Sequence, residues 1–227
     1  MKRIYFLLIF ITAVSCTPLL NVTTTRDAKQ IWQQHKRIAI IPLRVTSRDN
    51  DMLKREEYQL EKENMMKLSF SIQNNIYRVL QNQYSLSNLS VTIMPVDSTT
   101  QILAQSNIRY SALPAKNIEK ICALLKVDAV IAGEVEFYSP AHSLSGNAPY
   151  TIPGIEKAKL WLNIYDKNYS SPIWTFKEVN TAREYNEYYK RSGYINGTNE
   201  EYLIAYMFDK AMKILPYVIK SPVKRDY

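Results

Sequence analysis

Short apolar segments alternate with longer amphipathic segments along most of this chain. Residues 38–43 are apolar, rich in β-branched side chains and contain Pro42, which predicts a buried strand. Residues 44–56 are polar and predict a loop. From about 57 to 84, apolar residues recur at intervals of three and four, which predicts a long amphipathic helix. Its apolar stripe consists of Met65, Leu68, Ile72, Ile76, Val79 and Leu80.

The second half of the chain predicts more strands than helices. In chain order, we predict a strand at 91–96, a short helix at 98–105 capped by Asp97, a helix from Pro114 to Leu125, a central strand at 127–136, a hairpin of strands 157–165 and 172–179, and a last helix at 198–215. This order, with one apolar face per element, predicts the α/β class. The expected fold is a single-domain sandwich in which helices cover a mixed sheet, with parallel core strands and a C-terminal antiparallel hairpin.

The first sixteen residues have the layout of a secretory signal. Lys2 and Arg3 precede an apolar run at 4–14, which is about half the roughly 20 residues that a membrane-spanning helix needs. The run ends in Ala-Val-Ser-Cys, which resembles the lipobox of bacterial lipoproteins. That resemblance implies that Cys16 becomes the lipidated first residue of the mature protein. An ordinary signal followed by a chance cysteine is the alternative.

This interpretation divides the chain into four parts. They are a lipoprotein signal peptide at 1–15, the lipidated Cys16 with a flexible tether to 35, an α/β domain at 36–217, and a basic tail at 218–227. The residue after the cysteine is Thr17, not the acidic residue that would signal retention in the inner membrane. Similarity to Gram-negative lipoproteins therefore implies the outer membrane. We expect the domain on the periplasmic face, anchored by lipid, with surface exposure left open.

Composition narrows the chemistry. The chain has 227 residues, and its 5 Gly never form the G-x-G of a dinucleotide or phosphate loop. With 2 His and 2 Cys it lacks the residues for a His or Cys metal cluster, and we predict no cofactor. The net charge of +8 is spread along the chain, and nucleic acid is an unexpected partner for an exported protein. The expected partners are the membrane and an envelope protein, and a homo-oligomer stays open.

Three segments together resemble a known group of envelope lipoproteins. They are the strand at 36–42, the helix-to-strand passage at 125–135 with its Val-Asp-Ala-Val-Ile sequence, and the hairpin at 160–174. They look like lipoproteins related to the TolB amino-terminal domain, among them the activators of penicillin-binding proteins and the curli-secretion lipoprotein. They are also similar to uncharacterised lipoproteins of Bacteroidetes-type bacteria, which share a terminal Pro-Tyr pair, here Pro216 and Tyr217. The resemblance implies a binding module without catalysis.

One polar segment is a candidate partner-binding surface because it is rich in the residue types that interfaces favour. Its candidate residues are Arg183, Tyr185, Tyr188, Tyr189, Arg191 and Tyr194. The alternative is that these tyrosines only pack against the edge of the sheet.

No catalytic group stands out. Glu134 and Glu136 share one face of a strand end and could hold a proton or a cation, but a solvated strand end is favoured. Asp128 is expected to cap or turn the chain, and Cys122 to be a buried structural thiol. His35 and His142 are expected on the surface. We predict a non-catalytic binding or scaffolding lipoprotein, with an oligomeric secretion-channel component and an envelope hydrolase as alternatives.

Overall fold

The computed structural model describes residues 22–47, 55–85, 89–106, 108, 118–138, 157–181 and 199–219. Within these ranges the chain forms seven strands and five helices. They are β1 (Val22–Thr24), α1 (Ala28–Gln34), β2 (Arg37–Ile40), β3 (Arg44–Ser47), α2 (Arg55–Ser85), β4 (Thr92–Ile93), α3 (Val96–Gln105), α4 (Ile118–Leu125), β5 (Ala129–Tyr138), β6 (Lys157–Asp166), β7 (Trp174–Thr181) and α5 (Asn199–Met212).

All seven strands belong to one mixed sheet, in the order β1-β7-β6-β5-β2-β4, with β3 also paired to β5. Strands β2, β3 and β4 make the parallel pairs of the sheet. The hairpin β6–β7 and the edge strand β1 are antiparallel. The predicted class and architecture are confirmed: an α/β sandwich with a parallel core and a C-terminal antiparallel hairpin.

The two faces of the sheet bury different helices. One face packs against α1, α2 and α5 and includes the buried tryptophan Trp174. The other face packs against α3 and α4, through a smaller cluster that contains Cys122 and Tyr165. Strand β5 contributes alternate residues to both clusters, as the period of a strand requires.

The predicted long helix is confirmed as α2. Ile72, Ile76 and Leu80 of its apolar stripe are buried. Val79 was placed in that stripe, but it is 38% exposed, because residue 80 occupies the inward position of that turn. Two inward-facing polar residues of α2 support the sheet instead: the Ser69 hydroxyl donates to the Leu43 carbonyl at 2.6 Å, and the Gln73 amide donates to the Ile40 carbonyl at 2.7 Å.

These two bonds satisfy backbone groups at a bulge between β2 and β3. Ile40 lies opposite Ile131 and Arg44 lies opposite Glu134, so three residues of the connection face two residues of β5. Pro42 stands within the bulge and has no N–H to offer the ladder.

Gly133 of β5 lies opposite this bulge and is in close contact with β6. A Cβ atom at this position would lie 2.1 Å from the backbone oxygen of Trp161. Only glycine therefore fits here without a shift of the β6 backbone.

Folded structure begins earlier than predicted. The flexible tether was expected to extend to residue 35, but β1 pairs with β7 and α1 places Ala28 in the core with no exposed surface. The expectation was wrong for this part because Thr23 and Thr24 are solvent-facing residues of an edge strand and give no apolar pattern.

Two local predictions were also wrong. Residues 44–47 were expected in a loop, but they form β3, where Val45 is the one apolar core residue and the pattern is therefore weak. Asp97 was expected to cap α3, but the N-cap is Pro95 and Asp97 lies in the first turn, where its charge still favours the helix dipole. Pro114 lies outside the described residues.

Candidate functional site

Most of the side chains of β5, β6 and β7 that point away from α2 and α5 form a surface that we call the hairpin face, which excludes Val130 and Tyr165 of the smaller core cluster. Cross-strand pairing arranges it in four rows of three residues. The rows are given in order, starting at the end of the sheet where β5 and β7 end. They are Tyr138–Lys157–Thr181, Glu136–Lys159–Val179, Glu134–Trp161–Lys177 and Ala132–Asn163–Thr175. Ala132 belongs to the smaller core cluster, and the other eleven residues belong to neither cluster.

Charged and aromatic side chains contact each other in the outer rows of the hairpin face. The Tyr138 hydroxyl donates to Glu136, and the Lys159 ammonium lies 3.4 Å from the same carboxylate. That ammonium also lies 4.6 Å from the centre of the Tyr138 ring and 5.8 Å from that of Trp161. The hydrogen bonds to Tyr138 and Glu136 raise the pKa of Lys159 above its usual value, so it stays cationic. These contacts hold two aromatic rings in place on a rigid strand pair.

The two carboxylates of this face have separate cationic neighbours. Glu136 is paired with Lys159, and Glu134 lies 3.8 Å from the Arg44 guanidinium. The prediction that they share one face is confirmed, but the expected strand end was wrong, because β5 continues to Tyr138 and both residues lie within the strand. Glu134 is 39% exposed at its side chain and Glu136 is 19% exposed. Among the residues described, no group of three His, Cys, Asp or Glu is placed to hold a metal ion.

His35 belongs to a buried network at the opposite end of the sheet. Its Nε2 lies 2.8 Å from Asp166 Oδ2, and its Nδ1 lies 2.6 Å from the hydroxyl of Tyr217. Since an ionised carboxylate only accepts, the Nε2–H group of His35 donates to Asp166, and Nδ1 is hydrogen-bonded to the Tyr217 hydroxyl. The surface placement expected for His35 was wrong: the residue is 5% exposed.

The hydrogen-bonded chain Asp166–His35–Tyr217 resembles a catalytic relay, but its burial indicates a structural role. Tyr217, which would be the reacting group, has no exposed surface, and burial raises the pKa of its hydroxyl well above the usual range. The other oxygen of Asp166 accepts the Asn168 backbone amide at 2.7 Å. A substrate has no access to this hydroxyl, so the network joins elements rather than transferring protons.

Asp128 lies beside this network. It was expected to cap or turn the chain, but its carboxylate connects it to two distant chain segments. Its Oδ2 accepts the backbone amides of Lys36 and Arg37 at 2.8 and 3.1 Å. Its Oδ1 accepts the Lys167 ammonium at 2.8 Å. Burial alone would raise the pKa of Asp128, but the bonds from Lys167 and the two amides lower it to about 2.

Cys122 is a buried thiol, as predicted. It is 1% exposed, and burial raises its pKa to about 12, so it is neither ionised nor accessible near neutral pH. It borders a shallow depression of about 420 Å³ whose rim includes Lys126, Asp128 and Lys167. The depression offers no activated nucleophile.

A third polar cluster joins β7 to α5. The Lys210 ammonium lies 2.6 Å from Glu178 and 3.3 Å from the side-chain oxygen of Asn180. It also lies 4.6 Å from the Tyr206 ring centre. Burial alone would lower the pKa of Lys210, but the hydrogen bond to Glu178 raises it. The cluster replaces apolar packing where the inward pattern of β7 changes from Trp174 and Phe176 to polar residues.

The remaining sequence candidates lie outside the described residues. They are Cys16, His142 and the six residues Arg183, Tyr185, Tyr188, Tyr189, Arg191 and Tyr194. The sequence did not single out the hairpin face as a site. Its signal was the alternation in β6, where Lys157, Lys159 and Trp161 occupy the positions between buried residues.

Comparison with known proteins gives no family model and no curated relative that matches this chain. Solved structures do match. Lipoprotein GNA1162 from Neisseria meningitidis has 10% identity over 79% of this chain and 98% of its own, with a TM-score of 0.39. The PelC dodecamer from Paraburkholderia phytofirmans has 10% identity over 88% and 96%, with a TM-score of 0.37.

The C-terminal domain of LpoB from Salmonella enterica also matches, with 10% identity over 64% of this chain and 82% of its own and a TM-score of 0.35. One of these three matched structures is named a lipoprotein. Because the TM-scores are low, the function proposed below rests on this chain's own residues.

Proposed function

We propose that this protein is a lipid-anchored binding or scaffolding protein of the cell envelope, which acts through protein–protein contact and performs no catalysis. The signal layout and the lipobox-like ending at Cys16 support the anchor. The proposed location of the domain is the periplasmic face of the outer membrane, with surface exposure as the alternative. No helix in the described ranges is both long and apolar enough to cross a membrane.

The hairpin face is the observation that carries the binding role. It presents Trp161, Tyr138 and several lysines on paired strands, and Val179 is an exposed apolar residue at 49%. Aromatic residues on a rigid frame bury a large area at low entropic cost when a partner binds. Lys177 and the partly exposed carboxylate of Glu134 supply a polar border of the kind that surrounds interface centres.

The buried groups favour binding over catalysis. The His35 imidazole and the Cys122 thiol are the strongest candidates for chemistry among the described residues, and both are enclosed. Glu134 and Glu136 each have a cation beside them, so neither is held as an isolated acid. These contacts stabilise the domain and leave the hairpin face to make contacts outside it.

The tyrosine-rich segment stays part of the proposal as an extension of the binding surface. Arg183 follows Thr181, the last residue of β7, by two positions. The segment therefore follows closely on the end of β7 in the sequence. Changing Tyr188 and Tyr189 to Ser is expected to weaken partner capture. The thermal unfolding temperature should stay the same as that of the parent.

Site-specific photo-crosslinking in the native cells tests this function. A photo-reactive amino acid replaces Lys177 on the hairpin face, and in a matched variant it replaces Tyr169 in the β6–β7 turn, which is 47% exposed. We expect one dominant envelope protein to be captured from position 177 and not from 169. The Trp161→Ala variant should lower that capture, whereas Lys29→Gln on the exposed side of α1 should not.

Three results would contradict the proposal. Equal capture from both positions would show that the hairpin face is not the binding surface. Self-crosslinks alone would indicate a homo-oligomer and favour the channel alternative.

The third result concerns the anchor. Cys16→Ala should abolish both lipid labelling and partitioning into detergent. A variant that still partitions like the parent would refute lipid attachment at Cys16.

A further inference from the structure

The distance between the proposed lipid and the folded domain is short. Cys16 precedes Val22, the first residue of β1, by six positions. A fully extended chain spans at most about 3.6 Å per residue, so the Cα atoms of Cys16 and Val22 are within about 22 Å of each other. The early start of the fold therefore keeps the domain close to the membrane surface.

The direction of β1 shows which end of the domain the lipid approaches. Strand β1 is antiparallel to β7, with Val22 opposite Phe176 and Thr24 opposite Trp174. The chain upstream of Val22 therefore enters β1 from the side of Thr181, the last residue of β7. Thr181 lies five positions beyond Phe176, or about 17 Å along the strand. The leader leaves β1 toward Thr181 and is long enough to reach that end of the sheet. The opposite end of β7, at Trp174, lies about 7 Å from Val22 along the strand, and the leader would have to turn back to approach it.

The outermost row of the hairpin face lies at the same end. Tyr138, Lys157 and Thr181 are direct cross-strand neighbours, and we call them the end row. The Lys157 ammonium lies 5.7 Å from the centre of the Tyr138 ring. Tyrosine and lysine are the residue types that lie at membrane–water boundaries, because each has an apolar body and a polar or charged tip.

We infer that the domain stands end-on on the membrane that holds the lipid of Cys16, with the end row at the phospholipid headgroups. This inference rests on the proposed lipid anchor. The sheet then stands upright, and the inner rows of the hairpin face point sideways, parallel to the membrane plane. The His35 network lies at the end that faces away from the membrane, because His35 and Asp166 lie at the other ends of β2 and β6.

Fluorescence quenching on the full lipidated chain tests this orientation. Thr181→Cys and Tyr169→Cys place a fluorescent label at the two ends of β7, and the buried Cys122 thiol stays unlabelled. The protein is reconstituted in phosphatidylethanolamine–phosphatidylglycerol vesicles that contain a phosphatidylcholine with a headgroup nitroxide. Because about 25 Å of strand and turn separate the labels, we expect at least about twofold stronger quenching at position 181.

A charge reversal provides the matched control. Lys157→Glu should reduce the difference in quenching between the two positions, because it places a like charge against phosphatidylglycerol. Lys126→Glu makes the same change at an exposed position of the opposite end and should leave the difference unchanged. Equal effects of the two substitutions would overturn the role of the end row.

Vesicle flotation separates a failure of the orientation from a failure of the anchor. If the protein floats with vesicles and both labels are quenched equally, or position 169 more strongly, the end-on orientation is wrong and the lipid anchor stands. If the protein does not float and the N-terminal peptide carries no lipid by mass spectrometry, the anchor itself is wrong, and the orientation fails with it.

Discussion

The Nδ1 atom of His35 lies 2.6 Å from the hydroxyl of Tyr217, although 182 positions separate the two residues. His35 precedes the first residue of β2 by two positions, and Tyr217 follows α5. The backbone oxygen of Tyr217 also accepts the amide of Ser90 at 3.0 Å. Three distant parts of the chain therefore meet at one buried point, and this contact sets the first prediction.

Tyr217→Phe is expected to lower the free energy of unfolding by about 1–3 kcal/mol, because it removes the hydroxyl that is hydrogen-bonded to a buried imidazole nitrogen. Urea denaturation near pH 7.5 measures the change. Tyr169→Phe removes the same hydroxyl from a residue that is 47% exposed and should stay within about 0.5 kcal/mol of the parent. A loss no larger than that of the control would show that the network contributes no stability.

Asp128 should make the free energy of unfolding depend on pH in the acidic range. Its pKa is about 2 in the folded protein against the ordinary value of 3.8, so its contribution is present above about pH 4 and is lost as the pH falls toward 2. After discounting for solvent screening, we expect Asp128→Asn to cost about 1 kcal/mol at pH 7. Denaturation curves of parent and variant at pH 7, 4 and 2.5 should converge in acid. A difference that stays constant with pH would refute this origin, and Asp27→Asn, exposed before α1, is the control.

Lys210→Met should destabilise the junction of β7 and α5, because it removes the ammonium that lies 2.6 Å from the buried carboxylate of Glu178. We expect a loss of about 2 kcal/mol, less than for a fully enclosed pair, because the Lys210 side chain is 38% exposed. Adding Glu178→Gln should recover part of that loss. The matched control is Lys213→Met, whose partner Asp209 is on the surface, and which should cost about 0.5 kcal/mol or less. Equal losses for the two lysines would contradict a buried charge effect.

Gly133→Ala should cost about 2–3 kcal/mol, because the new methyl group would force the β6 backbone away from its position at 2.1 Å. Thermal unfolding followed by circular dichroism measures the loss. The control is Lys177→Ala, at an exposed position of β7, the strand on the other side of β6. It should change the free energy of unfolding by less than about 0.5 kcal/mol. If Gly133→Ala unfolds at the parent temperature, the close approach of the two strands does not constrain this position.

Strong local patterns made most of the architecture predictable from the sequence. The stripe that contains Ile72, Ile76 and Leu80 identified α2, and the alternation in β6 and β7 identified the hairpin. These elements bury one face, so their sequences carry a period of about 3.6 or 2 residues. Strand β1 buries no full face and has three residues, and its place depends on pairing with β7 rather than on its own composition.

The contacts of single polar residues could not be predicted in the same way. His35 is a single histidine shortly before a strand. Neither Asp166 nor Tyr217 is near it in the sequence. Only the folded topology brings the three together. The hairpin face could not be singled out either, because alternation in β6 and β7 does not show which of the two faces a helix covers. Trp174 is 2% exposed in the core, and Trp161 lies on the opposite side of the hairpin.

The pairing of β1 with β7 also has a consequence for the order of folding. Val22 lies opposite Phe176, so the first strand of the domain completes the sheet with the last one. Closing so long a loop is slow relative to forming the hairpin, whose strands are adjacent in sequence. We expect β1 to join the sheet late, after β7 has folded. Under the proposed lipid anchor, the region around Cys16 would stay accessible during that interval to enzymes that process and acylate it.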